Sequence, residues 1–459
     1  MPQSKLFSFL MDRACGSGSE ELRHAFFWEL SVHSMDPTFS RKYSRCRDLL
    51  IVRLAKDRSS AHDLIVGTEL QDVLSSLDYK SASESAIKQT VQAAINVLQK
   101  DSGRVALPIK PGFQVRTCLS VKRLASSQAP IVLVFSGVDE EANFDDAVGP
   151  EELPELVSNP TPASTLTVAY KREDLTKDAI VMRVLRLMRQ LFDDRSMDVD
   201  LLMYSVLPTG IDEGLIEFVK DACILKDIYT AGAEAKKGAD IRNYIRTNNP
   251  GNEDEAQLRF ARSLAAYTVI MFVLGAGDRH DDNVMLRSDG CFFHIDYGYV
   301  LGKDPKKFLL NEIGDSMPFS KKYIDAMDGK ASPFYSEFEQ HAIEVYAVLR
   351  ANARVIINMM MLLVDENDDI ERIEADFVKR LSLGCTESEA SKYLRMFFDN
   401  GQWKQDAVNK LHEAPIIIQS AADTAYSATA SMLYSVSGMA SNMAARLIQG
   451  NAVSKGGGV

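Results

Sequence analysis

The stretch between residues 277 and 298 gathers polar side chains that can bind a metal ion and move a proton. It reads Gly-Asp-Arg-His-Asp-Asp-Asn over residues 277–283 and His-Ile-Asp-Tyr-Gly over residues 294–298. Asn283 offers an amide oxygen and Asp296 a carboxylate, both hard oxygen ligands that suit Mg²⁺ or Mn²⁺. Such an ion bridges the phosphates of ATP and neutralises the charge that develops during phosphoryl transfer. The pair therefore predicts a metal-dependent site that uses ATP.

The same loop supplies a group for the hydroxyl that would attack the phosphate. Asp278 stands five residues before Asn283 and is placed to position or deprotonate that hydroxyl. His280 is the second candidate, because imidazole titrates near neutrality. Arg279 is expected to hold the loop by pairing with a carboxylate. Each residue alone has an ordinary structural explanation, so the prediction depends on their combination.

A β-hairpin must bring these residues together. Residues 284–286 and 291–295 are predicted strands, joined by a tight turn at Ser-Asp-Gly, residues 288–290. This hairpin would place Asn283 near Asp296. Lys171 ends another predicted strand, and a lysine that projects from such a strand can pair with ATP phosphates.

The rest of the chain divides into a helical region, a strand-rich part and a second helical part. Helical apolar patterns begin at residue 6 and recur at 24–32, 48–54 and 86–98. Short β-branched runs then predict strands at 115–119, 131–135, 165–170, 201–206 and 215–219, with a helix at 178–192. We predict a helical domain at 1–103, an N-lobe at 104–219, a C-lobe at 220–415 and an Ala/Ser/Met-rich tail at 416–459. An unrelated α+β protein would show the same order of elements.

Composition and charge exclude some functions. The 459 residues suit two or three domains. Acidic residues outnumber basic ones by 64 to 52, a net charge of -12, which argues against a general nucleic-acid binder. The six cysteines show no metal-ligand or redox spacing, as in a cytoplasmic protein with reduced thiols. No signal peptide is evident, and the apolar stretch 265–274 is too short to cross a bilayer, so any membrane contact is expected to be peripheral.

The loop and hairpin motifs resemble those of the phosphatidylinositol 3-/4-kinase family. That family has Gly-Asp-Arg-His-x-x-Asn before Asp-Phe-Gly, and this chain carries Tyr297 in place of the Phe. Residues 363–370, 377–383 and 386–398 look most like the closing helices of the class III (vacuolar-sorting) 3-kinases. The resemblance implies an α+β fold: a bilobal, protein-kinase-like catalytic domain preceded by an α-helical accessory domain.

The resemblance also implies where ATP binds. Lys171 matches the family's phosphate-binding lysine, and Asp178 matches the acidic residue near it. Glu217 and Val219 would hold adenine through their backbones, with Tyr204 beside it. Two departures stand out: residues 173–178 lack the family's Arg-Gln, and the loop at 120–130 has no glycine and carries Gln-Ala where lysines are usual.

The segment after Gly298 corresponds to the activation loop, which reads the lipid headgroup. Lys303, Lys306 and Lys307 could pair with headgroup phosphates or anionic lipid. Glu312 and Asp315 would repel extra phosphates, which favours phosphatidylinositol or a monophosphate over the bisphosphate. The implied activity is transfer of the ATP γ-phosphate to the inositol 3-hydroxyl, on endosomal or other intracellular membranes. A phosphatidylinositol 4-kinase, a related protein Ser/Thr kinase and an inactive scaffold are the alternatives.

The two ends of the chain carry less signal. Residues 421–447 are rich in Ala, Ser and Met with a single basic residue, which suits a membrane-lying helix, a flexible tail or a partner-binding helix. The chain starts inside the helical region, without the β domain that usually precedes it in the family. We expect either a fragment or a protein that a regulatory subunit recruits to the membrane.

Overall fold

The computed structural model describes residues 5–16, 20–55, 58–124, 129–139, 164–230, 237–305 and 317–400. The chain forms two compact units. Unit 1 comprises Met1–Leu187 and Met203–Asp221, and unit 2 comprises Met188–Leu202 and Ala222–Val459. The division at residues 221 and 222 lies beside the predicted boundary between the lobes, whereas the predicted boundary at 103 falls inside unit 1.

Five helices open unit 1 and confirm the predicted helical region. They are α1 (Lys5–Ala14), α2 (Glu20–Ser34), α3 (Ser40–Leu54), α4 (Arg58–Ser76) and α5 (Glu84–Ser102). The last of them shows why the sequence folds this way. The Ser83 hydroxyl accepts the N–H of Ala86 at its start, and Gly103 ends it at a φ of 79°. Ile87, Val91 and Ile95 recur at helical spacing and are buried.

A six-stranded antiparallel sheet completes unit 1. Its strands are β1 (Ala106–Leu107), β2 (Lys110–Arg123), β3 (Ile131–Asp139), β4 (Ser164–Lys171), β5 (Val206–Gly210) and β6 (Glu213–Glu217), in the spatial order β1-β2-β3-β4-β6-β5. Helix α6 (Thr176–Asp193) lies between β4 and β5 in the chain. The predicted strand at 201–206 is wrong: the strand begins at Val206, and residues 201–205 are irregular. Residues 201–204 read Leu-Leu-Met-Tyr, a short continuous apolar run of the kind that a buried strand also shows, and Leu201 and Tyr204 are buried in this irregular segment.

Unit 2 is mainly helical around a small sheet of three antiparallel strands. The strands are β7 (Ala222–Ile224), β8 (Val284–Arg287) and β9 (Phe292–His294). The helices are α7 (Leu225–Thr230), α8 (Lys237–Asn248), α9 (Glu253–Leu274), α10 (Lys321–Ala326), α11 (Pro333–Ala351), α12 (Ala353–Met360), α13 (Ile370–Arg380) and α14 (Glu387–Asn400), with short 3₁₀ turns at Asp281–Asn283 and Met361–Leu363.

Helix α9 forms the core of unit 2 and leads into the predicted catalytic loop. Phe260, Tyr267 and Phe272 on this helix are buried. Within the described part of the chain, α9 alone is long and apolar enough to cross a membrane as a single helix. Of its most apolar segment, 83% is buried inside the protein. Pro333–Ala351 and Ala353–Leu363 pass the same test only as one span bent by 77°. Gly275, at a φ of 61°, ends α9 and turns the chain toward the loop.

Candidate active site

The predicted hairpin is present and brings the two proposed metal ligands to its open end. Strands β8 and β9 pair antiparallel, with Val284 opposite His294. One residue further out, the N–H of Ile295 donates to the carbonyl oxygen of Asn283 at 3.1 Å. Asn283 therefore ends one side of the hairpin, and Asp296 follows on the other side.

Asn283 and Asp296 each offer a side-chain oxygen at this end of the hairpin, and one carboxylate oxygen of Asp296 accepts the N–H of Gly298 at 3.4 Å. The amide nitrogen Nδ2 of Asn283 donates to the carbonyl oxygen of Asp278 at 2.9 Å, which points Oδ1 away from that carbonyl. Asp296 is exposed and adopts a φ of 61°, a left-handed conformation that needs support from its surroundings. An amide oxygen and a carboxylate fit Mg²⁺, which usually completes its shell with water and substrate phosphates. No group of three or more His, Cys, Asp or Glu side chains could hold a metal within the described ranges.

Arg279 joins the loop to the far side of the hairpin. Its guanidinium donates to the carbonyl oxygens of Gly277 at 2.8 Å and Ile295 at 2.9 Å, and also to that of Asp296. The residue is only 4% exposed, so these bonds form in a poorly solvated environment. The sequence led us to expect a carboxylate partner for Arg279, which stays a prediction; the bonds that join the loop to the far strand go to backbone carbonyl oxygens.

The tyrosine at the family's usual phenylalanine position is accommodated by a bond of its own. Tyr297 is fully buried, and its hydroxyl donates to the carbonyl oxygen of His294 at 2.9 Å. The guanidinium carbon of Arg279 lies 5.5 Å from the centre of the Tyr297 ring. The added hydroxyl therefore costs little, because it has a buried acceptor.

Asp278 and His280 face each other across the loop. His280 Nε2 lies 3.7 Å from Asp278 Oδ1, and His280 Nδ1 accepts the N–H of Asp282 at 3.2 Å. Burial raises the pKa of Asp278, an effect that His280 partly offsets. Burial lowers the pKa of His280, and Asp278 partly offsets that shift. The bond from Asp282 to Nδ1 favours the neutral tautomer with its proton on Nε2, which faces the Asp278 carboxylate and also lies 3.4 Å from the Asn283 amide nitrogen.

Two ion pairs fix the 3₁₀ turn that ends the loop, and the sequence did not reveal either. Asp281 pairs with Lys322, and both side chains are less than a tenth exposed. Asp282 pairs with Lys226 at 2.8 Å, at a more exposed position. The partners of these two pairs stand 41 and 56 residues apart in the chain, too far for a local pattern to predict them.

The segment after Gly298 packs back on the catalytic loop. The N–H of Gly277 donates to the carbonyl oxygen of Tyr299 at 2.9 Å, and the N–H of Asp278 donates to the Asp304 carboxylate at 2.7 Å. Lys303, a predicted headgroup contact, donates to carboxylate oxygens of Asp365 at 2.9 Å and Asp368 at 2.7 Å. Its headgroup role stays a prediction. The other two predicted headgroup contacts, Lys306 and Lys307, lie outside the described residues.

The predicted nucleotide-binding side chains all lie in unit 1. Lys171 is the last residue of β4, opposite Gly214 of β6, and its ammonium pairs with Glu173. Asp178 is buried in the first turn of α6, and Tyr204 is buried just before β5. The predicted catalytic, metal and described headgroup residues all lie in unit 2. The roles assigned to both sets stay predictions.

The predicted adenine-binding segment has an unusual bond at the end of β6. The N–H of Glu217 donates to the carbonyl oxygen of Ser205 at 2.9 Å. The N–H of Ser205 donates in return to the carboxylate of Glu217 at 3.1 Å. In a regular ladder that N–H would bond the Glu217 carbonyl oxygen. The carboxylate of Glu217 therefore takes the place of its carbonyl oxygen as the acceptor for the Ser205 N–H.

Comparison with known proteins identifies the family to which the chain is similar. Residues 165–367 match the family described as "Phosphatidylinositol 3- and 4-kinase". The chain is 34% identical over 434 residues to "Phosphatidylinositol 3-kinase pik3" of Schizosaccharomyces pombe, covering 86% of this chain and 48% of that protein. It is 28% identical over 431 residues to "Phosphatidylinositol 3-kinase VPS34" of Candida glabrata, covering 90% and 43%. It is 30% identical over 328 residues to the protein of that name from Saccharomyces cerevisiae, covering 66% and 34%. The chain thus spans less than half the length of these relatives.

Proposed function

The chain carries a catalytic domain of the phosphatidylinositol 3- and 4-kinase family, and from this premise we propose that it transfers the γ-phosphate of ATP to the 3-hydroxyl of phosphatidylinositol. The observation that carries the proposal is the single loop and hairpin that hold Asp278, Asn283 and Asp296. Arg279 ties that loop to the far strand through the carbonyl oxygens of Ile295 and Asp296. The names of the relatives favour the 3-hydroxyl over the 4-hydroxyl.

Unit 1 would supply the nucleotide contacts. Adenine offers one donor and one acceptor on its edge, which would meet the carbonyl oxygen of Glu217 and the N–H of Val219, with Tyr204 nearby. Lys171 would pair with the phosphates, and Asp178 would orient that lysine. The Glu217 carbonyl oxygen suits this role because Ser205 bonds the Glu217 side chain instead.

Unit 2 would supply the metal ligands and the proton acceptor. Asn283 Oδ1 and Asp296 would hold Mg²⁺, which draws charge from the transferring phosphoryl group. The oxygen of the inositol 3-hydroxyl would form a bond to the γ-phosphorus as the bond to ADP breaks. Asp278 would accept the proton of that hydroxyl. His280, neutral and with Nε2–H facing Asp278, would orient the carboxylate and stabilise its charge.

The lipid and its membrane would be met by the lysines that follow Gly298. Lys306 and Lys307 would pair with headgroup phosphate or anionic lipid, and Lys303 could join them only after leaving Asp365 and Asp368. We place the enzyme in the cytoplasm, peripherally on endosomal or other intracellular membranes. A regulatory subunit is the expected protein partner.

A product-position assay tests the proposal. Purified protein, ATP and Mg²⁺ with phosphatidylinositol vesicles should yield the 3-phosphate, and Asp296→Ala should abolish it. A 4-phosphate product would make the protein a 4-kinase, and phosphorylation of protein without lipid would make it a protein kinase. ATP turnover that Asp296→Ala does not reduce would contradict the site itself, and no turnover at all would indicate a scaffold.

A further inference from the structure

The ammonium group of Lys303 is held by two carboxylates of one turn. Its Nζ donates to Asp365 at 2.9 Å and to Asp368 at 2.7 Å. The Asp368 carboxylate also accepts the N–H of Asp365 at 2.8 Å, so the same group closes the turn and binds the lysine. Partial burial disfavours the charged lysine, but the bonds to both carboxylates outweigh this and raise its pKa. Lys303 is therefore a fixed cation attached to a preformed acidic turn.

The residue next to Lys303 touches the catalytic loop directly. Asp304 accepts the backbone N–H of Asp278 at 2.7 Å. Asp278 has a φ of 56°, a conformation that a non-glycine residue keeps only when its surroundings hold it there. The contact is close-packed: a Cβ on Gly277 would lie 2.2 Å from the carbonyl oxygen of Lys303. A side chain at 277 would therefore clash with residues 303 and 304, and the loop packs directly against them.

We propose that Lys303 and Asp304 are positioning residues that hold Asp278 in its working conformation. We call Lys303, Asp304, Asp365 and Asp368 the clamp. Asp365 and Asp368 fix Lys303, and Lys303 in turn fixes where the Asp304 carboxylate meets the loop. The inference rests on the proposed function, in which Asp278 accepts the proton, and it gives Lys303 a role other than headgroup binding.

The first test separates the Asp304 hydrogen bond from its charge. Asp304→Ala removes the acceptor, and we expect kcat for phosphatidylinositol to fall about 10- to 100-fold, as for the loss of a charge-assisted hydrogen bond. The KM values for ATP and lipid should change less than about twofold, because the clamp touches neither substrate. Asp304→Asn keeps an acceptor oxygen and should recover most of kcat. Equal losses in both variants would overturn the role of this bond.

The second test asks what Lys303 binds while the enzyme works. Lys303→Met and the double variant Asp365→Asn/Asp368→Asn should lower kcat alike, and the exchange Lys303→Asp/Asp368→Lys should recover part of the loss. A headgroup role predicts the opposite pattern: a higher lipid KM in Lys303→Met and undiminished kcat in the double variant. That pattern would overturn the clamp. Lys330→Met is the matched control, because Lys330 forms an exposed pair with Asp399 at 2.8 Å elsewhere in unit 2.

Hydrogen exchange distinguishes failure of the clamp from failure of the proposed function. The amides of residues 277–283 should exchange faster in Asp304→Ala and Lys303→Met than in the wild type and in Lys330→Met. If the wild type phosphorylates no lipid but these amides still exchange faster in the two clamp variants, the clamp stands and the proposed function fails. If the amides do not respond, the clamp is refuted whatever the activity.

Discussion

Replacing Arg279 by alanine should separate the two halves of the metal site. The guanidinium is the group that bonds Gly277 on the loop and both Ile295 and Asp296 across the hairpin. Alanine leaves these carbonyl oxygens in a buried environment without that donor. Lysine can reach one of them but cannot span the loop and the far strand with one ammonium.

The magnitude follows from the bonds that are lost. An unsatisfied buried acceptor costs about 1–3 kcal/mol, and three of them in one network do not simply add. We expect Arg279→Ala to cost about 3–5 kcal/mol of transition-state stabilisation. At about 1.4 kcal/mol for each tenfold change, that is roughly a hundredfold to several-thousandfold loss in kcat/KM. Arg279→Lys should lose roughly ten- to a hundredfold, because one of the bonds can be rebuilt.

The assay is ATP turnover across a Mg²⁺ titration, with thermal melting measured beside it. Because the displaced groups are Asn283 and Asp296, the apparent Mg²⁺ affinity should fall together with the rate. Arg287→Ala is the control: its two-bond pair with Asp289 lies in the same hairpin but involves none of the loop carbonyl oxygens, so its loss should leave the Mg²⁺ dependence unchanged. Wild-type Mg²⁺ dependence in Arg279→Ala, with a rate within about fivefold, would refute the reasoning.

Three further predictions concern Asp281, Asp278 and Lys171. Asp281→Asn removes a buried counter-charge of Lys322 and should destabilise the protein by about 3–5 kcal/mol in urea unfolding, and an unchanged midpoint would contradict this. The rate should fall as acid protonates Asp278, in a limb above the ordinary aspartate range because burial raises its pKa; His280, whose pKa is lowered, should stay neutral through pH 7. An acid limb in the pH range of an ordinary exposed aspartate would contradict the assignment of this limb to Asp278. Lys171→Met should weaken ATP binding by about tenfold or more, measured by nucleotide titration, while vesicle binding stays at the wild-type level.

Local signals in the sequence were sufficient for the hairpin and much of the fold. The Ser-Asp-Gly turn between two short apolar runs predicted β8 and β9, because turn chemistry and strand patterns act over a few residues. The helical spacing of Ile87, Val91 and Ile95 predicted α5 for the same reason. The strand expected at 201–206 was wrong because a short continuous apolar run, here residues 201–204, is typical both of a buried strand and of a buried irregular segment.

Partners distant in the chain were beyond the reach of those signals. The sequence identified Arg279 as a loop holder but gave it a carboxylate, whereas its acceptors include carbonyl oxygens 16 and 17 residues downstream. It predicts a headgroup contact for Lys303, which stays a prediction, but it does not reveal that the acceptors of this ammonium lie 62 and 65 residues away on another turn. Which polar group meets which depends on how the loops close, and every backbone carbonyl is an equally good candidate in the sequence.

By itself, then, the sequence determined the residue types at the candidate site, their spacing on one loop and hairpin, and the elements that carry them, and from these it predicted the chemistry. Only the tertiary structure decided how those groups are oriented, through the bonds of Asn283 to Asp278, of Asp304 to Asp278 and of Lys303 to its acidic turn. The physical reason is the distance along the chain over which each kind of interaction acts. Turns and periodicity act over a few residues, whereas the burial and long-range hydrogen bonds that fix a side chain exist only once distant segments have packed together.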